Sequence, residues 1–466
     1  MIVKLRIVLF FLLFVCYPIS AQTFYVSSSE GSDENDGLTD QNPKRDLSGI
    51  PKENVTILLK CGDVFWGGIS GYKNCTLSSY GKGERPVICG FKVLVNTSAW
   101  NDEGYGLWSI DLCRSEDFRG NVEKKFDTTF NNIGFIYDPS NDRLFGRNVD
   151  ALESMRDEMD FFTTSYYSKE DIEAHPFGIV TVKSARNPSE LGNLCFPAAQ
   201  YGVDRMTNCT IKGIAIVGFS LFGMVHLTGC YVEDCQIDMI GGAVQIGHNT
   251  RTRYGNGIEL WYQYCDNTII NNLISRTYDC ALTIQASGDI KSNPRNNHFV
   301  NNRIYKCRQA FEHFMNSSNG ALIQYENCEF SGNTCYLMGD NEFDCPEGRD
   351  CNILSYENKA KPITISNNVF FGGNHLDGTG LDEGMENNTV FLYVDQYLHT
   401  IHWHSNKNTI LSQSEDSVER YRIVAKDASR IVILTRGSVR ANWIERRIRR
   451  KVSWKPVNLH LESIIL

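Results

Sequence analysis

The segments GIELW (257–261), ALTIQ (281–285) and AFEHF (310–314) align as three copies of one strand. With Ile258, Leu260, Leu282, Ile284 and Phe311 facing inward, period-two alternation sends Glu259, Thr283 and Glu312 outward. Trp261, Gln285 and Phe314 then form a second outward row, with aromatic faces for sugar rings. On consecutive strands, Glu259 and Glu312 are expected about 9.6 Å apart from the sheet spacing. That lies near the upper end of the carboxylate separation of an inverting glycosidase, roughly 6.5–9.5 Å. The bland alternative is a pair of solvated glutamates on a sheet face.

A second group surrounds RTYD, Arg276 to Asp279, at the bend before CALTIQ. His248, Arg251 and Arg253 come from the preceding polar insertion, GHNTRTRYGNG. Uronate β-elimination needs a cation on the substrate carboxylate and a base for the α-proton. Arg251, Arg253 and Arg276 supply the first requirement, and Tyr278 or His248 the second. Asp279 orients an arginine or serves as a hydrolytic acid. A salt-bridged turn is the competing structural explanation.

Strands at fixed spacing must hold these residues. NTIINNLI (267–274), NHFVNNRI (297–304) and PITISNNVFF (362–371) repeat one pattern, with asparagines between apolar residues. The repeats align on closing residues Ile216, Ile237, Ile274, Ile304, Phe330 and Phe370. Two residues earlier stand Ile214, Cys235, Asn272, Asn302, Cys328 and Asn368. Stacked coils at this spacing let the amides form a ladder along the axis. The insertions all follow the second apolar strand of a coil, as walls of a groove would.

The N-terminal MIVKLRIVLFFLLFVCYPISAQ carries Lys4 and Arg6, an apolar run from Ile7 to Cys16, and small residues at Ser20 and Ala21. This is the order of a secretory signal peptide cut after Ala21, with a run too short to span a bilayer. No transmembrane segment is expected, and the location is periplasmic or extracellular. Without that segment, 44 basic residues face 55 acidic ones, a net charge of about −11. Such a balance speaks against nucleic acid and leaves a polysaccharide or oligosaccharide as partner. Of the 16 cysteines, Cys209, Cys235 and Cys328 lie in apolar patterns and pack as small hydrophobes. Cys345 and Cys351 are the better disulfide candidates. No cysteine spacing supports a zinc site, so no metal ligand is assigned.

FYVSSSEGSDENDGLTDQNPKRDL, SSYGKGERPVICG and YGNGIELWYQYCDNTIINN resemble exported right-handed parallel β-helix proteins of the pectate-lyase-like superfamily. The likeness covers about residues 23–95 and 203–375 and implies an all-β solenoid. It does not choose a reaction, because function resides in the site. DENDG could hold calcium, but the EF-hand spacing is absent and a structural turn is the simpler reading.

The expected organisation is a signal peptide (1–21), an N-terminal cap with first coils (22–95), an inserted β-rich subdomain (96–202), the main β-helix (203–410) and a C-terminal coil or cap (411–466). LESMRDEMDFF suggests a helix within the insert, FGIVTVKS a strand, and ANWIERRIRRKV a basic amphipathic helix over the last coil. The arginines tilt the functional balance toward a polysaccharide lyase on a uronate glycan. A glycoside hydrolase, a uronate epimerase and a non-catalytic glycan-binding β-helix protein remain open.

Overall fold

A computed structural model of the chain describes residues 21–459, apart from 113, 121–132, 146, 164–178, 245–251, 340–341, 344–350, 358–362, 373, 379–384, 395–400, 406–407, 413–428 and 436. Residues 1–20 of the expected signal peptide (1–21), together with His248, Arg251 and Cys345, lie outside the described residues. The protein is mostly β, with long parallel sheets. One ten-stranded sheet runs from Gln22–Val26 to Met385–Glu386. It carries a buried column of Ile57, Leu77, Ile211, Val232, Ile269, Phe299, Phe330 and Ile365. A second column joins Ile216, Ile237, Ile274, Ile304, Cys335 and Phe370. A third joins Val203, Met224, Ile258, Leu282, Phe311 and Ile353. All three columns meet in one apolar core. This pairing is consistent with the expected parallel β-helix.

Cys335, not Phe330, closes its rung, and Phe330 belongs to the neighbouring sheet. The doubled asparagine that marks other rungs is replaced there by Gly332–Asn333, with glycine at φ 67°. Elsewhere the two asparagines divide two tasks. Asn271, Asn301, Asn367 and Asn387 sit at φ 53° to 59°, in the left-handed region that asparagine tolerates. Their successors are buried and bond along the stack. Asn272 Oδ1 accepts from Cys235 N at 2.9 Å, Asn302 Oδ1 from Asn272 N at 3.0 Å, and Asn333 Oδ1 from Asn302 N at 2.8 Å. The run continues through Asn368 and Asn388. A parallel run links Cys230, Asn267 and Asn297. Cys209, Cys230, Cys235 and Cys328 are buried free thiols.

Antiparallel strands dominate the described residues between 91 and 197. Phe118–Gly120, Phe91–Leu94, Cys195–Pro197, Ile136–Asp138 and Arg143–Phe145 form one sheet. Phe161–Thr163, Ile179–Lys183, Leu107–Asp111 and Asn101–Gly104 form another. The strand expected in FGIVTVKS is Ile179–Lys183, whereas LESMRDEMDFF makes only a single turn, Leu152–Ser154. Asp160 Oδ2 accepts from Arg156 N and Asp157 N, both at 2.9 Å, taking backbone donors that a helix would need. The insert leaves and returns through a narrow neck: Gly90 O accepts from Ala198 N at 2.9 Å and Ala199 N at 3.0 Å. A Cβ at Gly90 would meet Gly218 O at 2.6 Å, which explains the glycine.

The basic helix spans Val439–Val452, capped by Ser438 Oγ on Ala441 N at 3.2 Å. Ala441 and Val452 are buried with Leu273, Tyr336, Phe371 and Leu434. The helix therefore lies along the flank of the rungs and not across the end of the stack, as its sequence suggested. Its outer face carries Arg446, Arg447 and Arg450. Among the described residues, no helix is long and apolar enough to cross a membrane.

Candidate active site

The outer face of one parallel sheet gathers the chemistry. Register places Asp204, Val225, Glu259, Thr283 and Glu312 side by side on consecutive strands, opposite the inward column through Ile258 and Leu282. Glu259 and Glu312 thus stand two rungs apart with Thr283 between them. Glu259 is nevertheless not a solvated surface group, being 3% exposed. Asn256 Nδ2 donates to its Oε2 at 2.7 Å, Gln285 Nε2 to Oε2 at 2.9 Å, and Trp261 Nε1 to Oε1 at 2.6 Å. Trp261 and Gln285 reach it together because they are cross-strand partners. Burial lifts the Glu259 carboxyl to about 7, against the pull of the N–H donors.

Asp279 sits at the bend before Cys280–Gly288, its amide donating to Gly255 O at 3.1 Å. Its carboxylate and that of Glu312 converge on the Cys280 thiol. Sγ lies 3.9 Å from Asp279 Oδ1 and 3.3 Å from Glu312 Oε2. Thr283 Oγ1 donates to Glu312 Oε2 at 3.4 Å. Asp279 and Glu312 are both half-buried. Desolvation raises the Glu312 carboxyl well above the usual carboxylate range, with the Asp279 and Glu259 charges adding to the effect. Burial and the same three carboxylates raise the Tyr254 hydroxyl. These residues share one patch of negative potential, in which the Asp279 charge opposes ionisation of both Glu259 and Glu312.

The arginine constellation has a different place. Arg276 is fully buried, with Nε 2.9 Å and Nη2 2.5 Å from the two oxygens of Asp238, and Nη1 2.7 Å from Asp142 Oδ1. The faces of Tyr137 and Trp454 complete its enclosure. Its φ of 45° breaks the strand alternation, and the side chain ties the stack to the insert. Tyr278 is 3% exposed, beneath Arg253 at 4.4 Å and edge-on to Phe343. Arg253 donates to Gly242 O at 2.7 Å and Gly134 O at 3.0 Å. Of RTYD, only Asp279 joins the carboxylate patch. Trp261, Gln285 and Phe314 are half-buried at its rim.

Tyr254, Asn256 and Cys280 escape sequence reasoning, although each lies within six residues of Glu259 or abuts Asp279. Asp204 and His226 escape it because their strands follow the insert and align with Glu259 only through register. In DENDG, Asp36 Oδ1 accepts from Leu38 N at 3.0 Å, an ordinary turn contact. Among the described residues, no group of three or more His, Cys, Asp or Glu side chains is arranged to hold a metal ion.

No protein-family model matches the chain, and no curated protein matches it in sequence. Among solved structures it is similar to XylC in complex with xylose, at 12% identity over 84% of this chain and 72% of that one, with a TM-score of 0.47. It is also similar to a GH136 lacto-N-biosidase from Eubacterium ramulus, at 10% identity over 89% of this chain and 67% of that one, with a TM-score of 0.33. Likenesses this loose carry no inference about chemistry.

Proposed function

We propose that the chain is an exported glycoside hydrolase working on the outer face of a right-handed parallel β-helix, with the 96–202 insert as one wall of its groove. The observation that carries the reading is the convergence of Asp279 and Glu312 on Cys280, beside the buried Glu259. Glu312, held protonated by burial and by its anionic neighbours, gives its proton to the leaving glycosidic oxygen. Asp279 attacks the anomeric carbon as that C–O bond breaks, forming a glycosyl ester. Glu312, now ionised, takes a proton from water, whose oxygen displaces Asp279 and regenerates both groups. This double displacement retains configuration and calls for a carboxylate separation of about 5–5.5 Å in the substrate complex. Glu259 acts as a positioning residue, holding Trp261 and Gln285 at the rim and keeping Glu312 protonated.

A β-eliminative reading needs a cation at the substrate carboxylate, and Arg276 is already neutralised by Asp238 and Asp142. The test is to incubate the chain with neutral and acidic glycans, following reducing ends and the ultraviolet absorbance of unsaturated uronates together. Reducing ends without absorbance are expected. Absorbance rising with reducing ends would overturn hydrolysis in favour of elimination.

A further inference from the structure

The carboxylate patch has a neighbour that the proposed chemistry does not use. Along its N-terminal flank four rings follow one another. Phe222 and Tyr201 are stacked at 5.8 Å with planes 7° apart, Tyr201 meets His226 at 6.5 Å, and His226 meets Tyr264 at 5.2 Å. All four are half-buried, and Tyr264 also packs against the apolar core. The row is continuous with the carboxylates through two bridges. Tyr254, Tyr201 and Phe222 pack against the same buried pair, Leu221 and Ala243, and the Tyr254 hydroxyl senses Asp279, Glu259 and Glu312. Gly223 N, next to Phe222, donates to the backbone of Asn256, whose side chain holds Glu259.

His226 is fixed within the row. Its Nδ1 lies 2.6 Å from Asp204 Oδ1, and Asp204 is itself 96% buried. Asp204 Oδ2 also accepts from Ser70 Oγ at 3.2 Å and pairs with Arg205 at 2.9 Å. The backbone turns at His226 with φ 55°, breaking the alternation at that residue. An imidazole held at Nδ1 keeps a defined orientation for Nε2, next to aromatic faces.

Pyranose rings have apolar faces that stack on aromatics and hydroxyls that need fixed polar partners. We infer that the Phe222–Tyr201–His226–Tyr264 row is a saccharide-binding subsite, and that its ligand is a neutral oligosaccharide laid along the stack axis across successive rungs. Neutrality follows from charge: on this face the Asp279 carboxylate already opposes ionisation of Glu259 and Glu312, so a further anion such as a uronate is disfavoured there. This deepens the hydrolase reading and rests on it for the direction of the groove.

The test uses Glu312→Gln to read binding without turnover. Calorimetry would follow neutral gluco-, galacto- and xylo-oligosaccharides of up to six units, with galacturonate oligomers as the anionic control. At least one neutral series should bind, gaining affinity with length, and the galacturonates should bind at least tenfold more weakly. Adding Phe222→Ala should weaken neutral binding about tenfold, the scale of one lost aromatic contact. Adding His226→Gln should weaken it severalfold with the melting temperature unchanged, which separates recognition from folding. Preference for galacturonates, no binding of any probe, or undiminished binding by both added variants would overturn the subsite. Neutral binding that Phe222→Ala weakens, in a chain whose wild type releases no reducing ends, would uphold the subsite while removing the hydrolase.

Discussion

Asp279, at the bend entering the strand Cys280–Gly288, and Glu312, on the neighbouring strand Gln309–Ser317, share the Cys280 thiol as a common neighbour, at 3.9 Å and 3.3 Å from its sulfur. Two carboxyl groups brought together at a half-buried site cannot both ionise cheaply, and desolvation with the Asp279 charge pushes Glu312 toward its protonated form. The division of acid and nucleophile proposed above follows from that asymmetry.

Glu312→Gln should lower kcat/KM on an unactivated glycoside by about 10²–10⁴, the usual worth of a general acid. On an aryl glycoside with a good leaving group the loss should be much smaller, because that group departs without a proton. Steady-state kinetics on both substrates check this. An equal loss on both would remove Glu312 from the acid role.

Stability should fall as pH rises. The Glu259 carboxyl is raised from 4.5 to about 7 in the folded protein, so the fold binds the extra proton between those values. Its contribution is fully present below pH 4.5 and is lost as pH rises through about 7, on the order of 3 kcal/mol. Thermal melts of wild type at pH 5 and pH 8 should therefore differ more than those of Glu259→Gln. A wild-type curve that rises toward pH 8, with no change of slope in the variant, would contradict it.

The two asparagines of a pair should not be equivalent. Asn302→Ala removes a buried amide that serves Asn272 N, Asn272 Nδ2, Ile269 O and Asn333 Oδ1. It should cost roughly 3 kcal/mol or more, since each stranded buried group costs about 1–3 kcal/mol. Asn301→Ala loses mainly an eased left-handed bend and should cost about 1 kcal/mol. Urea unfolding measures both.

Arg276→Ala strips the fully buried Asp238 of its counter-charge and should destabilise by about 3–5 kcal/mol. Its effect should appear in melting temperature and not in KM for any glycan. A folded, undiminished variant that has lost activity on acidic glycans alone would return the β-eliminative reading to first place.

Much of the architecture was legible because its signals are local. The alternation in GIELW and ALTIQ placed Glu259 and Thr283 in one register, and the doubled asparagines marked the bends. Where a local signal changed form, the reading slipped. Gly332–Asn333 performs the work of an asparagine pair without looking like one, so the apolar pattern points to Phe330 where Cys335 closes the rung. Arg276 and Tyr278 were misplaced for a longer-range reason. Their burial depends on Asp142, Gly134 and Phe343, all distant in sequence, and no pattern near RTYD announces those partners. Asp204 and His226 lie beyond the insert, where only strand pairing reveals that Asp204, with His226 bonded to it, shares the register of Glu259.

The neck at Gly90 gives the insert an unusual standing as a genetic unit. Because Ala198 and Ala199 already hydrogen-bond to Gly90, a deletion that joins these ends needs scarcely any new chain, and grafting another module there would be equally simple to draw. The packing sets different terms. Phe135, Tyr137 and Leu144 cover Val217, Met239 and Tyr278, and Asp142 answers the charge of Arg276. Excision would leave a greasy, charged scar on the parallel sheets, so a replacement module must bring its own apolar underside and its own acid. The splice site is permissive, and the surface beneath it is selective.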